Sequence, residues 1–156
     1  MFSPALEAVL NVSYREAVSR QHAYLTLEHL LYAISHDPEG ESILAACGAD
    51  VSVLRRSLDA YLDDAIERQK GRDSHDPEQT VAFRRVLQTP VLHIQSEERE
   101  EAHAGDILAA ILQQPRTHAA QLLTDHGVTR LDILNYISHG ISKAPGAGST
   151  DPAAPD

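Results

Sequence analysis

Residues 24–34 read YLTLEHLLYAI, and residues 103–112 read HAGDILAAIL. In the first stretch, Thr26 is followed by apolar residues at helical spacing: Leu27, Leu30, Leu31 and Ile34. In the second stretch the apolar residues are Ile107, Leu108 and Ile111. This spacing predicts an amphipathic helix in both places, with Thr26 as the N-cap of the first. The resemblance between the two stretches indicates an internal repeat.

The prolines and glycines that follow the two stretches occur at matching positions. Pro38 follows the first stretch as Pro115 follows the second, and each precedes a short predicted helix. Gly48 and Gly127 then stand at the C-terminal ends of these short helices. Ser3-Pro4, Asp50, Thr80 and Thr129 are the predicted starts of the remaining helices. The sequence therefore predicts an all-α fold of two four-helix repeats, each too small to bury its apolar faces alone.

The predicted domain covers residues 1–143, with repeat one at about 1–67 and repeat two at about 79–143. Residues 68–78 form a charged linker with almost no apolar residues, which predicts exposure to solvent. Residues 144–156 are rich in Pro, Ala, Gly and Ser and are predicted to be a flexible tail. Pro90 falls inside the predicted fifth helix, where we expect a kink, because proline removes a backbone hydrogen bond.

The composition limits the classes of function. A formal net charge of −10 opposes sequence-independent binding to nucleic acid or to an anionic membrane surface. One cysteine excludes an internal disulfide and fits a reducing compartment. No signal peptide and no stretch long enough to span a bilayer are expected, so the predicted location is cytoplasmic.

Five segments carry a resemblance to a known family: residues 25–34 (LTLEHLLYAI), 46–55 (ACGADVSVLR), 80–88 (TVAFRRVLQ), 91–96 (VLHIQS) and 127–143 (GVTRLDILNYISHGISK). They resemble the N-terminal double repeat of Clp-family AAA+ unfoldases. The T-x-E-H-L-L opening is shared by the family, and RLDILNYISHG resembles the ClpA branch. The resemblance covers nearly all of residues 6–143.

The resemblance implies a non-catalytic docking domain without a cofactor. Its expected partners are a ClpS-type adaptor, which delivers substrates with destabilising N-terminal residues, and unfolded substrates. In a longer parent protein, ATPase modules would unfold the cargo and pass it to ClpP. The implied adaptor-binding residues are Ala23, Glu28, Thr80, Arg84 and Arg85. Ala23 stands where the resemblance implies an acidic residue, and Arg84 is an added charge. The alternative is that Glu28 and Thr80 only cap helices, while the arginines are solvated.

Enzymatic chemistry finds little support in the sequence. No phosphate loop of the form G-x-x-x-x-G-K-[ST] is present, so the chain is not predicted to be an ATPase or another enzyme. Cys47 precedes Gly48 at a predicted helix end, where a buried structural thiol is favoured over a nucleophile. Nine histidines raise the question of zinc, with His22, Asp63 and Glu67 as weak candidate ligands if the first and fourth helices pack together. The preferred interpretation assigns these histidines to surface or capping roles and predicts no metal site.

Two alternatives to the docking domain stay open at this point. The first is a stand-alone regulatory or stress protein with the same double repeat, which the full reading frame would distinguish. The second is a zinc-binding protein built on the histidines, which zinc content after dialysis would test.

Overall fold

The computed structural model describes residues 2–70, 75–97 and 101–143, and within residues 90–97 only the backbone is described. In these ranges the chain forms eight helices and two strands of two residues each. The bounds are α1 Pro4–Ser19, β1 Tyr24–Leu25, α2 Leu27–Ser35, α3 Pro38–Ala46, α4 Val51–Asp64, β2 Glu78–Gln79, α5 Val81–Glu97, α6 Ala104–Ile111, α7 His118–Asp125 and α8 Arg130–His139.

The helices begin where the sequence predicts their caps. The Ser3 Oγ accepts a hydrogen bond from the Leu6 N–H, and Thr80 Oγ1 accepts one from the Phe83 N–H. Asp37, Asp50 and Thr129 cap α3, α4 and α8 in the same way. Such side chains satisfy amide donors that have no partner inside the helix. The predicted caps of α1, α4, α5 and α8 are therefore confirmed.

Glycines end three helices by adopting backbone angles that other residues rarely adopt. Gly48, Gly127 and Gly140 have φ values of 100°, 78° and 70° and follow α3, α7 and α8. The left-handed conformation turns the chain away from the helix axis without a clash of Cβ with the backbone. The predicted stops are confirmed, and the stops at Gly48 and Gly127 are equivalent in the two repeats.

The two copies of the duplicated stretch, α2 and α6, lie at the centre of the fold. Helix α2 packs against α1 and α4, and α6 packs correspondingly against α5 and α8. Contacts between the repeats run from α2 to α6 and α7, and from α3 to α6 and α8. A single hydrophobic cluster contains residues of both repeats. Its largest fully buried side chains are Leu6, Leu27, Leu30, Leu31, Ile34, Leu44, Leu54, Leu58, Ile107, Leu108 and Ile111. The repeats share one core, because neither could bury both faces of its central helix alone.

Two glycines allow close approach inside this arrangement. A Cβ on Gly40 would overlap the carbonyl oxygen of Ile34, so α3 can approach the end of α2 only without a side chain there. A Cβ on Gly105 would lie 2.6 Å from the Cγ2 atom of Ile137, so α8 can pack directly against the start of α6.

Some apolar residues at helical spacing lie outside the core. The exposed fractions of Leu131 and Val53 are 66% and 37%. Helix α4 ends at Asp64, so Ile66 lies beyond it and is half-buried. Helical spacing alone did not define which turns meet a neighbouring helix. Helix α5 continues through Pro90 to Glu97, and the kink expected there stays a prediction.

The linker between the repeats is tied to the first repeat at both ends. Arg68 forms a bridge with His22, and Glu78 and Gln79 pair in parallel with Tyr24 and Leu25. Most described linker residues are exposed, although Pro77 is buried. Residues 71–74 and the predicted flexible tail, 144–156, lie outside the described residues. None of the helices in the described ranges has both the length and the apolar content required to cross a membrane.

Candidate functional site

The short pairing of β1 with β2 brings residues of the two repeats to one surface. The Glu78 N–H donates to the Ala23 carbonyl over 2.9 Å, and the Thr80 N–H donates to the Leu25 carbonyl over 3.1 Å. We call this unit, residues 22–25 with 77–80, the ribbon. It places Ala23 and Thr80 on neighbouring segments, although the linker separates them in the sequence. Both residues are half-buried.

Helix α5 extends directly from the ribbon and carries the predicted arginines. Thr80 caps its first turn, and Arg84 and Arg85 follow in the next turn with exposed side chains. The Arg84 Nη1 donates to the Gln79 carbonyl over 2.7 Å, which holds this guanidinium beside the ribbon. Four of the five predicted adaptor-binding residues therefore lie at the ribbon and the start of α5. Thr80 does cap its helix, and its contact with an adaptor stays a prediction.

Glu28 is placed differently from the other four. Its exposed fraction is 6%, and its Oε2 accepts a 2.7 Å hydrogen bond from the Ala119 N–H, in the first turn of α7. A carboxylate at this position stabilises the positive end of the α7 dipole. Glu28 therefore joins α2 of the first repeat to α7 of the second. Its carboxylate is engaged within the fold, and a contact with an adaptor stays a prediction.

A groove opens between the start of α5 and the loop that leads into α7. It has a volume of about 560 Å³ and is lined by Val81, Ala82 and Arg85 from α5 and by residues 113–117. Among the described residues of this lining, Arg85 and Arg116 are the only charged ones, and both are exposed. Within the described part of the chain, neither guanidinium forms an ion pair. Arg116 was not singled out in the sequence, because nothing local shows that the α6–α7 loop meets α5.

The first-repeat end of the ribbon rests on two buried histidines. His22 Nδ1 and His29 Nε2 are 2.8 Å apart, and the Thr26 N–H donates to His29 Nδ1 over 3.0 Å. Since His29 Nδ1 is an acceptor, the proton of the neutral ring lies on Nε2 and is donated to His22. Burial lowers the pKa of His29 to about 3, with His22 and Arg20 as further causes. Burial also lowers the pKa of His22. Burial therefore favours the neutral form of both rings, and the pair acts as a structural support.

The weak zinc candidates are not assembled into a site. His22 is fully buried and bonded to His29, while the carboxylate of Asp63 contacts Arg20 at 2.6 Å. Glu67 contributes its backbone carbonyl, which accepts from the Ala23 N–H. No three His, Cys, Asp or Glu side chains are arranged to hold a metal ion anywhere in residues 2–70, 75–97 and 101–143, as far as side chains are described. Arg20, which directly follows α1, contacts Asp59 and Asp63 of α4 in an ion-pair cluster.

Cys47 has the environment of a structural thiol. Its exposed fraction is 1%, and burial, together with the negative charge of Asp132, raises its pKa to about 11. A thiol that stays protonated and inaccessible is a poor nucleophile. The expectation of a buried structural cysteine is confirmed.

Comparison with known proteins agrees with this architecture. The model of the Clp repeat (R) N-terminal domain family matches residues 1–126. The chain belongs to this Clp N-terminal domain family. The resemblance seen in the sequence is thereby confirmed for the family and for the all-α double repeat.

One sequence relative supports the same family, and two solved structures share the fold. A ClpA homolog protein of Fuscovulum blasticum is 33% identical over 152 residues, which are 97% of this chain and 19% of that protein. The Hsp104 N-terminal domain of Candida albicans superposes with a TM-score of 0.74 at 14% identity, covering 92% of this chain and 95% of that domain. A ClpV N-domain in complex with a VipB peptide gives a TM-score of 0.69 at 19% identity, covering 92% and 90%. The chain therefore spans about a fifth of the length of the curated relative.

Proposed function

We propose that this Clp N-terminal domain is a non-catalytic docking module that presents protein cargo to an ATP-driven unfoldase. The observation that carries the proposal is the surface formed by the ribbon and the start of α5. It exposes Arg84 and Arg85 on a chain with a net charge of −10, and neither arginine forms an ion pair within the described residues. Unpaired cations on an acidic surface favour electrostatic recognition of a partner.

The proposed partner is a ClpS-type adaptor that delivers substrates with destabilising N-terminal residues, together with unfolded segments. The 33% identity to a ClpA homolog supports this branch of the family. The ClpV N-domain, which has the same fold, forms a complex with a VipB peptide, which supports peptide docking on such domains. Ala23, Thr80, Arg84 and Arg85 would contact the adaptor, and Glu28 would act by holding α7 in place.

The role of a longer parent is part of the same proposal. ATPase modules would follow this domain, unfold the cargo and pass it to ClpP in the cytoplasm, while this domain itself needs no cofactor. The stand-alone alternative remains open, and the reading frame beyond Asp156 distinguishes the two: a continuation into Walker motifs supports the proposal.

Titration with a purified ClpS-type adaptor tests the function. We expect saturable binding to the parent chain and a loss of about tenfold in affinity for Arg85→Ala, since a lost charge contact of 1.4 kcal/mol is one decade. Arg56→Ala on α4 is the matched control, because Arg56 is also exposed and lies on a different helix. The resemblance implies that Ala23→Glu increases affinity. Absence of adaptor binding to the parent would refute the function, and equal binding of all variants would refute the site.

A further inference from the structure

The groove between α5 and the α6–α7 loop differs in charge from the rest of the molecule. As far as the structure describes side chains, its lining contains two arginines and no carboxylate, whereas the whole chain has 23 Asp and Glu against 13 Lys and Arg. Arg85 enters from α5, and Arg116 enters from the loop of residues 113–117. Two guanidinium groups on opposite elements can bind carboxylates in the bidentate geometry that planar forks favour.

A second cleft provides an internal comparison. It lies between α3, α6 and α8, has a volume of about 780 Å³ and includes Glu39, Asp106 and His103 in its lining. Both clefts fall in the size range of small-ligand and peptide sites. The larger cleft carries two carboxylates and would repel an anionic segment, whereas the smaller groove would attract one. The charge of the lining therefore favours the smaller groove over the larger cleft as the site for an anionic segment.

The lining of the groove also includes an exposed apolar residue and the capped start of α7. Val81, at the start of α5, has an exposed fraction of 54% beside Arg85. Thr117 lines the groove and caps α7 by accepting from the Ala120 N–H over 3.2 Å. The preceding amide of this turn, Ala119 N–H, donates to the Glu28 carboxylate over 2.7 Å. The loop that carries Arg116 is thus anchored to the core on its α7 side.

We propose that this groove binds an acidic, extended segment of the partner protein, with its carboxylates between Arg85 and Arg116 and an aliphatic side chain against Val81. This inference rests on the proposed docking function and extends it to a second element, the α6–α7 loop. Arg116 becomes a specificity residue that selects acidic over neutral segments. Glu28 is a positioning residue, which acts through α7.

Peptide binding tests the groove without an adaptor. The probes are two terminally blocked, fluorescein-labelled peptides, GELEELG and its neutral counterpart GQLQQLG. We expect the acidic peptide to bind the 156-residue chain at low salt, and its affinity to fall about tenfold in Arg85→Glu and in Arg116→Glu. Arg56→Glu makes the same change of charge on α4 and is expected to leave the affinity within about twofold, because distant exposed charges are screened.

NMR of the isotope-labelled chain locates the bound peptide through changes in the amide chemical shifts. Shifts are expected at residues 81–85 and 113–117 and not around Glu39 and Asp106. The inference is overturned by no binding of the acidic peptide, by equal binding of the neutral peptide, by equal effects of Arg56→Glu and Arg116→Glu, or by shifts at the larger cleft. Adaptor titration of the same variants separates the two proposals: adaptor binding that is insensitive to Arg116→Glu refutes only the groove.

Discussion

The Glu28 carboxylate and the Ala119 amide, which belong to different repeats, form a hydrogen bond of 2.7 Å in a buried position. The second residue of α2 therefore caps the first turn of α7. The equivalent position in the second repeat is Gly105, where a Cβ would lie 3.4 Å from the Cδ1 atom of Ile43, in α3 of the first repeat. The repeats share a fold, but the two junctions between them are built from different contacts.

Loss of this junction should destabilise the domain. We expect Glu28→Ala to lower the free energy of unfolding by about 1–3 kcal/mol, since it leaves a buried amide donor without its acceptor. Urea denaturation measures the change, and amide hydrogen exchange at Ala119 should accelerate selectively. Glu7→Ala, at an exposed carboxylate in the first turn of α1, is the control and should change stability by less than about 0.5 kcal/mol. Equal effects of the two substitutions would contradict the assignment.

The histidine pair should make the fold sensitive to acid. In the folded state the pKa of His29 is about 3, against 6.5 for the free side chain, so the unfolded chain binds more protons between these values. Stability is then complete above about pH 6.5 and decreases as the pH falls, with a loss of about 2 kcal/mol at pH 5 from His29 alone. The lowered pKa of His22 acts in the same direction.

Denaturation at several pH values measures this dependence. His29→Gln should flatten the slope of unfolding free energy against pH between 5 and 7, whatever its effect on absolute stability. His103→Gln is the control, because His103 is exposed. A slope in His29→Gln as steep as in the parent would show that other groups cause the acid sensitivity.

Arg20, which directly follows α1, contacts one carboxylate of that helix and two carboxylates of α4. Its guanidinium lies 3.1 Å from Glu16, 2.6 Å from Asp59 and 2.6 Å from Asp63, and its side chain is 16% exposed. Because Asp59 and Asp63 are more than half exposed, we expect Arg20→Ala to cost only about 1–2 kcal/mol. Arg15→Ala, at an exposed position on the same helix, should be nearly neutral. The difference between the two variants should shrink in 1 M NaCl, and a difference independent of salt would exclude an electrostatic origin.

Gly40 should tolerate no side chain. Gly40→Ala would force the new Cβ against the carbonyl oxygen of Ile34, so α3 must move away from α2 at a cost of about 2–4 kcal/mol. Thermal or urea denaturation measures the loss. Ser42→Ala in the same helix is exposed and should stay within about 0.5 kcal/mol of the parent. Unchanged stability of Gly40→Ala would mean that the approach of the two helices is looser than described.

Cys47 should react with thiol reagents only through unfolding. Its pKa of about 11 and its burial predict negligible modification by a disulfide reagent at pH 8 in the folded chain, and rapid modification in denaturant. The rate of absorbance change with and without guanidinium chloride measures both states. Rapid modification of the folded chain would contradict the placement of Cys47.

Much of the fold follows from the sequence alone. The alternation of caps such as Thr26 and Asp50 with apolar residues at helical spacing, and of stops at Gly48 and Gly127, is local chemistry, because a cap contacts amides three residues away. The same order of these signals in the two halves further predicts the repeat and the core that the repeats share. The exposure of Leu131 and Val53 was not predictable in this way, since it depends on which helix packs against each face.

The sequence by itself thus determined the eight helices, the duplication and the family. It also singled out four residues that the fold brings to one surface. Only the tertiary structure decided that Glu28 is buried against α7, that His22 bonds to His29, and that Arg116 faces the same groove as Arg85. The physical reason is distance along the chain. Glu28 and Ala119 are 91 positions apart, and no local propensity encodes the contact between residues that meet only when two repeats close on a common core.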